Sequence, residues 1–309
     1  MIAVFVRRIV EAIITLVLFS MVVFALTHVL GDPVASMLGP DSTTQQRAEL
    51  RHQLGFDKPL VTQYLDFVGN AARGDLGTST QTNVPVWTSI KDRVPASLLL
   101  AGAAMIVALL LAVPLAVLSA TRHRSAWDGT AKATALVGQG TPSFLLGMIA
   151  VWVFALELHW LPAGGKGGLT SYVLPTLTLA WFIGAGIYRL LRASLLESLQ
   201  ADYVLYARSL GIANWRVVWT WALPNALVGV LAFIGYMFGA IMAGAIVIEA
   251  VFVWPGLGSL AYQAVLSRDL LLIEGAVLVI AVLMIAANLA VDLLQIAIDP
   301  RLRYPRSGT

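Results

Sequence analysis

The chain has 309 residues, 59% hydrophobic and 12% charged, far more apolar and about half as charged as a soluble globular protein. Its net charge of +3 is too small to speak for nucleic acid, and without cysteine it can form no disulfide, thiol centre or Cys-based metal site. Several apolar runs of about 18 residues or more mark a polytopic membrane protein, and they are too uniformly apolar for alternating barrel strands, so they are helices.

The first apolar segment runs from about Ile9 to Leu30 and gives ~33 Å of helix, enough to cross the hydrocarbon. Arg7 and Arg8 precede it and no clear cleavage site is present, so a retained anchor with a cytoplasmic N-terminus is expected. Glu11 reads as an end residue that snorkels. Residues 31–95 form a long polar extracytoplasmic loop with turn clusters at Gly31-Asp32-Pro33 and Gly74-Asp75-Leu76-Gly77. Gln45 to Leu54 reads as a short amphipathic helix, nothing in the loop is apolar enough to span, and the whole is large enough to fold onto the mouth of a pore. Segment two covers about 97–120, with Pro114 as a kink. Segment three covers about 133–158 and is rich in Gly138, Gly140, Pro142 and Gly147, small residues that let helices approach closely. Segment four, about 172–191, ends at Arg189 and Arg192 and leads into a cytoplasmic region, 193–225. Segments five and six, about 226–248 and 275–298, flank an outer loop with Trp254-Pro255-Gly256-Leu257-Gly258. Gly235 and Gly239 in segment five make a G-x-x-x-G match, for which close helix packing is a sufficient reading.

Charge supports this order. Of the 20 Lys and Arg, only Lys166 and Arg268 lie in the two short loops assigned to the outside, while the N-terminus, the 121–132 loop, the 189–224 region and the tail are basic. The expected fold is an all-α membrane protein, one domain of six transmembrane helices with both termini in the cytoplasm.

Between segments four and five lies Asp202 to Pro224. Asp202 is placed to cap a helix, and Tyr203, Tyr206, Ala207 and Leu210 fall on one face of it. Gly211 is a natural stop that needs a left-handed backbone. Asn214 can cap a second piece, Trp215 to Leu223, with Pro224 in the first turn of the next helix. The first piece is only ~12 Å long and marginal alone in water. Its exposed face therefore rests on lipid headgroups or in a groove on a soluble partner, and Arg208 lies beside it.

Sites for chemistry are sparse. The run Gly164-Gly165-Lys166-Gly167-Gly168 has the wrong spacing for a phosphate-binding loop. His28, His52, His123 and His159 show no metal-ligand spacing, and no G-x-S-x-G occurs, so an enzyme is not expected. Asp292, within segment six, is the one candidate for an ion-coupled carrier, with Asn288 one turn away as its partner. A membrane scaffold without transport is the third reading.

Ala207, Gly211, Leu223 and Pro224 match the EAA loop of importer permeases, with Leu205 and Tyr206 where Glu and the first Ala would stand and Trp221 in place of Ile. Asp202-Tyr203-Val204, Ala207-Arg208, Gly211 and Asn225-Ala226 resemble the peptide/nickel branch. The likeness runs through Leu54 to Leu60, Gly74 to Ser79, Arg93, Pro95, Pro142, Trp160-Leu161-Pro162, Leu174-Pro175-Thr176, Arg189, Arg192, Pro255 to Gly258, Arg268-Asp269 and Asp299-Pro300-Arg301. Leu270-Leu271 departs from it, standing where the family carries an aromatic and a proline. The chain is thus similar to a B-type permease of ABC importers for dipeptides, oligopeptides or nickel, with a type I importer fold in a bacterial inner membrane. The resemblance implies a paralogous C-type permease, two cytoplasmic ATPases that carry ATP and Mg2+, and an extracytoplasmic solute-binding protein. It implies that Asp202, Tyr203, Tyr206, Ala207, Arg208, Gly211, Leu223 and Pro224 couple to the ATPase. Glu249, Trp254, Pro255, Gly256, Leu257, Gly258, Arg268 and Asp269 are expected to line an extracytoplasmic gate. No cofactor is expected on this chain.

Overall fold

The computed structural model describes residues 2–30, 38, 43–53, 56–165 and 167–298. Gly31-Asp32-Pro33, Leu54-Gly55, Lys166 and the tail from Asp299 lie outside the described residues. In chain order the helices are α1 (Ile2–Leu30), α2 (Thr44–Gln53), α3 (Leu60–Ala72), α4 (Val86–Lys91), α5 (Val94–Thr121), α6 (Ala126–Gly140) and α7 (Ser143–Ala150). They continue with α8 (Val173–Gln200), α9 (Asp202–Ser209), α10 (Asn214–Arg216), α11 (Leu223–Val251), α12 (Leu257–Leu266) and α13 (Leu270–Ile298). Among the described residues five stretches are long and apolar enough to cross a membrane, and α6 with the chain from Ser143 to Glu157 makes a sixth when the bent pair is taken as one span. Among the described residues the only strand-like pairing is an isolated bridge between Thr78 and Pro85.

The core is built on small residues. Ala101, Ala104, Ala108, Ala112 and Ala116 form the buried side of α5 against α8. With no larger side chain between them the backbones come close: a Cβ on Gly184 would sit 3.6 Å from the Ala108 carbonyl. This is packing by contact where apolar burial supplies no preference between helix and lipid. α11 and α13 pack in the same way at Gly235 and Gly239, which lie against Val291 and Asn288. A second cluster, including Val86, Ile90, Leu257, Leu260 and Ala276, seats α4 on α12 and α13.

Two expectations need correction. The third segment, expected as one span over about 133–158, is broken in two: α6 and the chain from Ser143 to Glu157 meet at 105°. Proline disfavours the helical region for the residue before it; Thr141 is extended at φ −104, ψ 129, and Pro142 is next at φ −55, ψ 134. The bend flanks an apolar groove of about 690 Å3, edged by Leu115, Trp127, Phe154 and Trp181. The piece from Trp215 to Leu223 is also not a separate helix. The chain runs from α10 through a wide i+5 turn, Val217–Ala222, straight into α11. Pro224 has no N–H for the Thr220 carbonyl four residues back, and one residue on Asn225 Nδ2 donates to the neighbouring Trp221 carbonyl at 2.7 Å.

The side chains sort the ends of the bundle into two sides. Residues 76–97, 160–165, 167–172 and 249–272 share one end, the loop side. Ser119, Asp128, Arg192 and the stretch from Asp202 to Pro224 share the other, the coupling side.

Candidate functional site

The coupling side is organised around the end of α8. Ala201 leaves the helix at φ −72, ψ 148 and serves as the N-cap of α9, so Asp202 lies in the first turn and is not the cap expected of it. The Ser198 hydroxyl donates to the Ala222 carbonyl at 3.0 Å and bonds the Tyr203 hydroxyl at 2.5 Å. Val204 and Ala207 are fully buried against the chain's own helices. Tyr203, Tyr206, Ala207 and Leu210 are therefore not one exposed face. Ala207 is turned inward, correcting the expectation that it meets a partner, while Leu205, Tyr206, Leu210 and Trp215 are each more than half exposed. Asp202, Arg208 and Pro224 are exposed and Leu223 is buried. Gly211 has φ +76, and its N–H donates to the Arg208 carbonyl at 3.0 Å, which ends α9. The Arg216 guanidinium lies over the Trp215 ring, 5.4 Å from its centre.

Next to this region is a cluster that the sequence did not disclose. Asp128 is fully buried. It accepts from Ser119 Oγ (2.5 Å), Arg192 Nε (2.8 Å) and Nη2 (3.0 Å), Lys132 Nζ (2.8 Å) and the Arg124 N–H (3.1 Å). Tyr188 bonds Ser119 at 2.8 Å. The Asp128 N–H in turn donates to Ser125 Oγ, an N-cap for α6. Asp128 belongs to the polar connection before the apolar part of the third segment. Burial pushes its carboxyl up, but the bonds from Arg192, Lys132 and Ser119 outweigh burial and hold it well below the ordinary carboxylate range. Arg192 and Lys132 stood out as basic residues; Lys132 is four residues from Asp128, but Arg192 is 64 residues away, and that distant pairing is what the sequence did not disclose.

On the loop side the structure brings Glu249 together with the Trp254–Gly258 turn. Glu249, near the end of α11, is fully buried. Its Oε1 accepts from Ser97 Oγ at 2.6 Å and its Oε2 from the Ser259 N–H at 3.0 Å. Ser97 Oγ accepts from the Leu257 N–H at 2.8 Å. The carboxylate thus satisfies N–H groups that the first turn of α12 leaves free. Only glycine fits beside it: a Cβ on Gly256 would be 2.2 Å from Glu249 Oε1, and one on Gly258 2.4 Å from the Ile246 Cα. Trp254 is buried, donates through Nε1 to the Ala96 carbonyl at 3.2 Å, and meets Tyr172 edge-on at 4.4 Å. Leu257 and Gly258 are buried, and Pro255 is half-buried.

Asp269 makes a second link. It is buried and bonded by the Ser79 hydroxyl, and by the Thr80 N–H and hydroxyl, both at 3.2 Å. It also receives the Leu272 N–H at 3.3 Å at the start of α13. The turn at 74–79 and the Arg268-Asp269 pair, far apart in sequence, are therefore one contact. Arg268 itself is exposed at φ 55.

Asp292 is paired with Arg8 on α1 at 3.3 Å, and not with Asn288, whose amide faces Gly239. An intramembrane acid with an arginine partner is not shaped as a free ion relay.

Among the described residues, five apolar spans, a broken sixth and a short helix with one open face define the class: a polytopic helical membrane protein. Residues 112–304 match the family model described as binding-protein-dependent transport system inner membrane component, and residues 1–101 match the model for the N-terminal part of such membrane components. The chain belongs to this family and is the membrane component of a binding-protein-dependent ABC importer. It is 37% identical over 301 residues to the glutathione transport system permease protein GsiC of Escherichia coli O6:H1, covering 97% of this chain and 98% of that one. The GsiC proteins of Shigella dysenteriae serotype 1 and Shigella flexneri serotype 5b are each 36% identical over the same shares. Among solved structures, the crystal structure of an amino acid ABC transporter with histidines matches with a TM-score of 0.53 at 20% identity, covering 69% of this chain and 94% of that chain. That match speaks for the fold.

Proposed function

We propose that this chain is one half of the pore of an ATP-driven importer for peptides or peptide-like solutes of similar size. The glutathione named for its relatives is a tripeptide, which supports this substrate class. The carrying observation is the exposed patch of Leu205, Tyr206, Leu210 and Trp215, held out from the body by a helix whose other face is buried. Such a patch fits a hydrophobic groove with an acidic rim for Arg208 and Arg216. In this reading the groove belongs to a cytoplasmic ATPase, ATP and Mg2+ stay on that partner, and this chain carries neither. A paralogous permease completes the pore, and a solute-binding protein delivers solute on the opposite side. Both termini are cytoplasmic, in a bacterial inner membrane. Glu249 to Asp269 closes the pore on the outer side as a rigid unit.

The test is co-purification of the ATPase alongside uptake. Tyr206→Asp and Leu210→Asp are expected to leave membrane insertion intact, release the ATPase and stop uptake. Gly211→Ala, strained at positive φ by ~1 kcal/mol, is expected to weaken both. Ala207→Glu is not a docking variant, because it would force a carboxylate into the chain's own core. If Tyr206→Asp and Leu210→Asp keep the ATPase and transport at the wild-type rate, α9 is an interfacial helix and the reading fails.

A further inference from the structure

The long polar connection carries one element out of character. α3 (Leu60–Ala72) has no buried residue, yet it is the most apolar helix of that connection. At 100° per residue its side chains sort into three sectors. Tyr64, Phe67 and Ala71 share the first. Val61, Leu65 and Val68 lie beside them. Thr62, Asp66, Gly69 and Asn70 occupy the opposite side, where Asp66 holds Lys58 at 2.7 Å.

The first sector rests on α1. The Tyr64 hydroxyl bonds Ser20 Oγ at 2.8 Å and reaches the Val17 carbonyl at 3.4 Å. The Phe24 ring meets Tyr64 at 5.5 Å and Phe67 at 5.9 Å. These α1 residues are not beyond the bilayer: Val17, Ser20 and Phe24 lie within the apolar run that the sequence carries from about Ile9 to Leu30, so α3 rests on α1 at a level where that helix is apolar, as an amphipathic helix seated in an interface does. The second sector is left open at this depth. Val61 and Leu65 are 72% and 62% exposed, and Leu18 and Val22 of α1 are exposed at the same level.

We propose that α3 is an in-plane membrane helix, with Val61 and Leu65 seated among the acyl chains of the leaflet on the loop side and Thr62, Asp66 and Asn70 facing water. The occupant is lipid because the exposed sector is purely aliphatic and stands beside a lipid-spanning helix at hydrocarbon depth. Neither the direction of the termini nor the identity of the ATPase contact enters this inference.

The cysteine-free sequence makes the test direct. Val61→Cys, Leu65→Cys, Thr62→Cys and Asn70→Cys are each labelled with a nitroxide in the full chain within its native complex. The complex is placed in phosphatidylethanolamine–phosphatidylglycerol vesicles, and relaxation by oxygen is compared with relaxation by a water-soluble nickel chelate. The expected ratio of oxygen to nickel accessibility is several-fold higher at 61 and 65 than at 62 and 70. Equal, nickel-accessible labels at all four positions would place α3 in water and overturn the proposal. Labels at 61 and 65 shielded from both reagents would assign the sector to a protein partner and overturn it equally. All four positions are exposed, so labelling does not threaten the fold.

Discussion

At Gly256 a single methyl group decides whether Glu249 can stay where it is. The carboxylate occupies the space that a Cβ would need, so Gly256→Ala must expel it from the start of α12. Glu249→Gln keeps the shape but not the chemistry. Oε1 meets a hydroxyl, which can reverse its role, while Oε2 meets the Ser259 N–H, which cannot; whichever way Ser97 turns, it must also still accept from the Leu257 N–H. An amide keeps the Ser259 bond only with its oxygen toward that N–H; Ser97 Oγ can then accept from both the amide and the Leu257 N–H, but its own O–H loses the carboxylate oxygen it donated to. One lost or misdirected bond in a buried site costs about 1–3 kcal/mol. The readout is maleimide labelling of Pro255→Cys. Labelling is expected to differ between ATP-bound and resting complexes, and Glu249→Gln is expected to raise it at rest. Constant labelling across the cycle would argue against a moving closure.

Helices differ in how much of themselves they announce. The long spans are plain from length and hydropathy, since α5, α8, α11 and α13 must hide their backbones from lipid whatever they touch. The 105° corner at Thr141-Pro142 was announced only as a proline inside an apolar run; the surface that Gly138 meets beside it, the Trp181 ring and Ala185, comes from another helix, α8. For α9, periodicity found a stripe but not its direction. The inward residues are Val204 and Ala207, and the Ser198–Tyr203 bond that sets this rotation lies between two elements. The Asp128 and Asp269 clusters were hidden for the same reason: the partners that join each to another element, Arg192 for Asp128 and Ser79 with Thr80 for Asp269, are far along the chain. The pairing of α11 with α13 yields a graded prediction. A Cβ at Gly235 would lie 2.1 Å from Val291 Cγ1, and one at Gly239 2.6 Å from Asn288 Oδ1. Valine is stiff at χ1 whereas the asparagine amide can turn. Gly235→Ala is therefore expected to cost about 1–3 kcal/mol and Gly239→Ala less, as read from thermal unfolding of the purified complex. Equal costs would mean that the helices part as a unit.

For the whole molecule the first question is direction. Reporters fused after Thr309 and inserted near Arg124 are expected to signal cytoplasm, and one near Asp41 the outside. An outside signal at Thr309 would rule out an even number of crossings with both ends in. With that direction, α8 acquires a mechanical character. It is an unbroken rod of 28 residues, ~42 Å long, pinned near one end where Arg192 meets Asp128. The pin divides it into arms of ~12 Å toward Gln200 and ~28 Å toward Val173. Any sideways displacement of the short arm, which carries α9, is multiplied a little more than twofold at the long arm and reversed in sense. The tip of that arm is where Tyr172 presses on Trp254, so a push of ångströms beneath the membrane becomes a larger, opposite stroke against the loop on its far side.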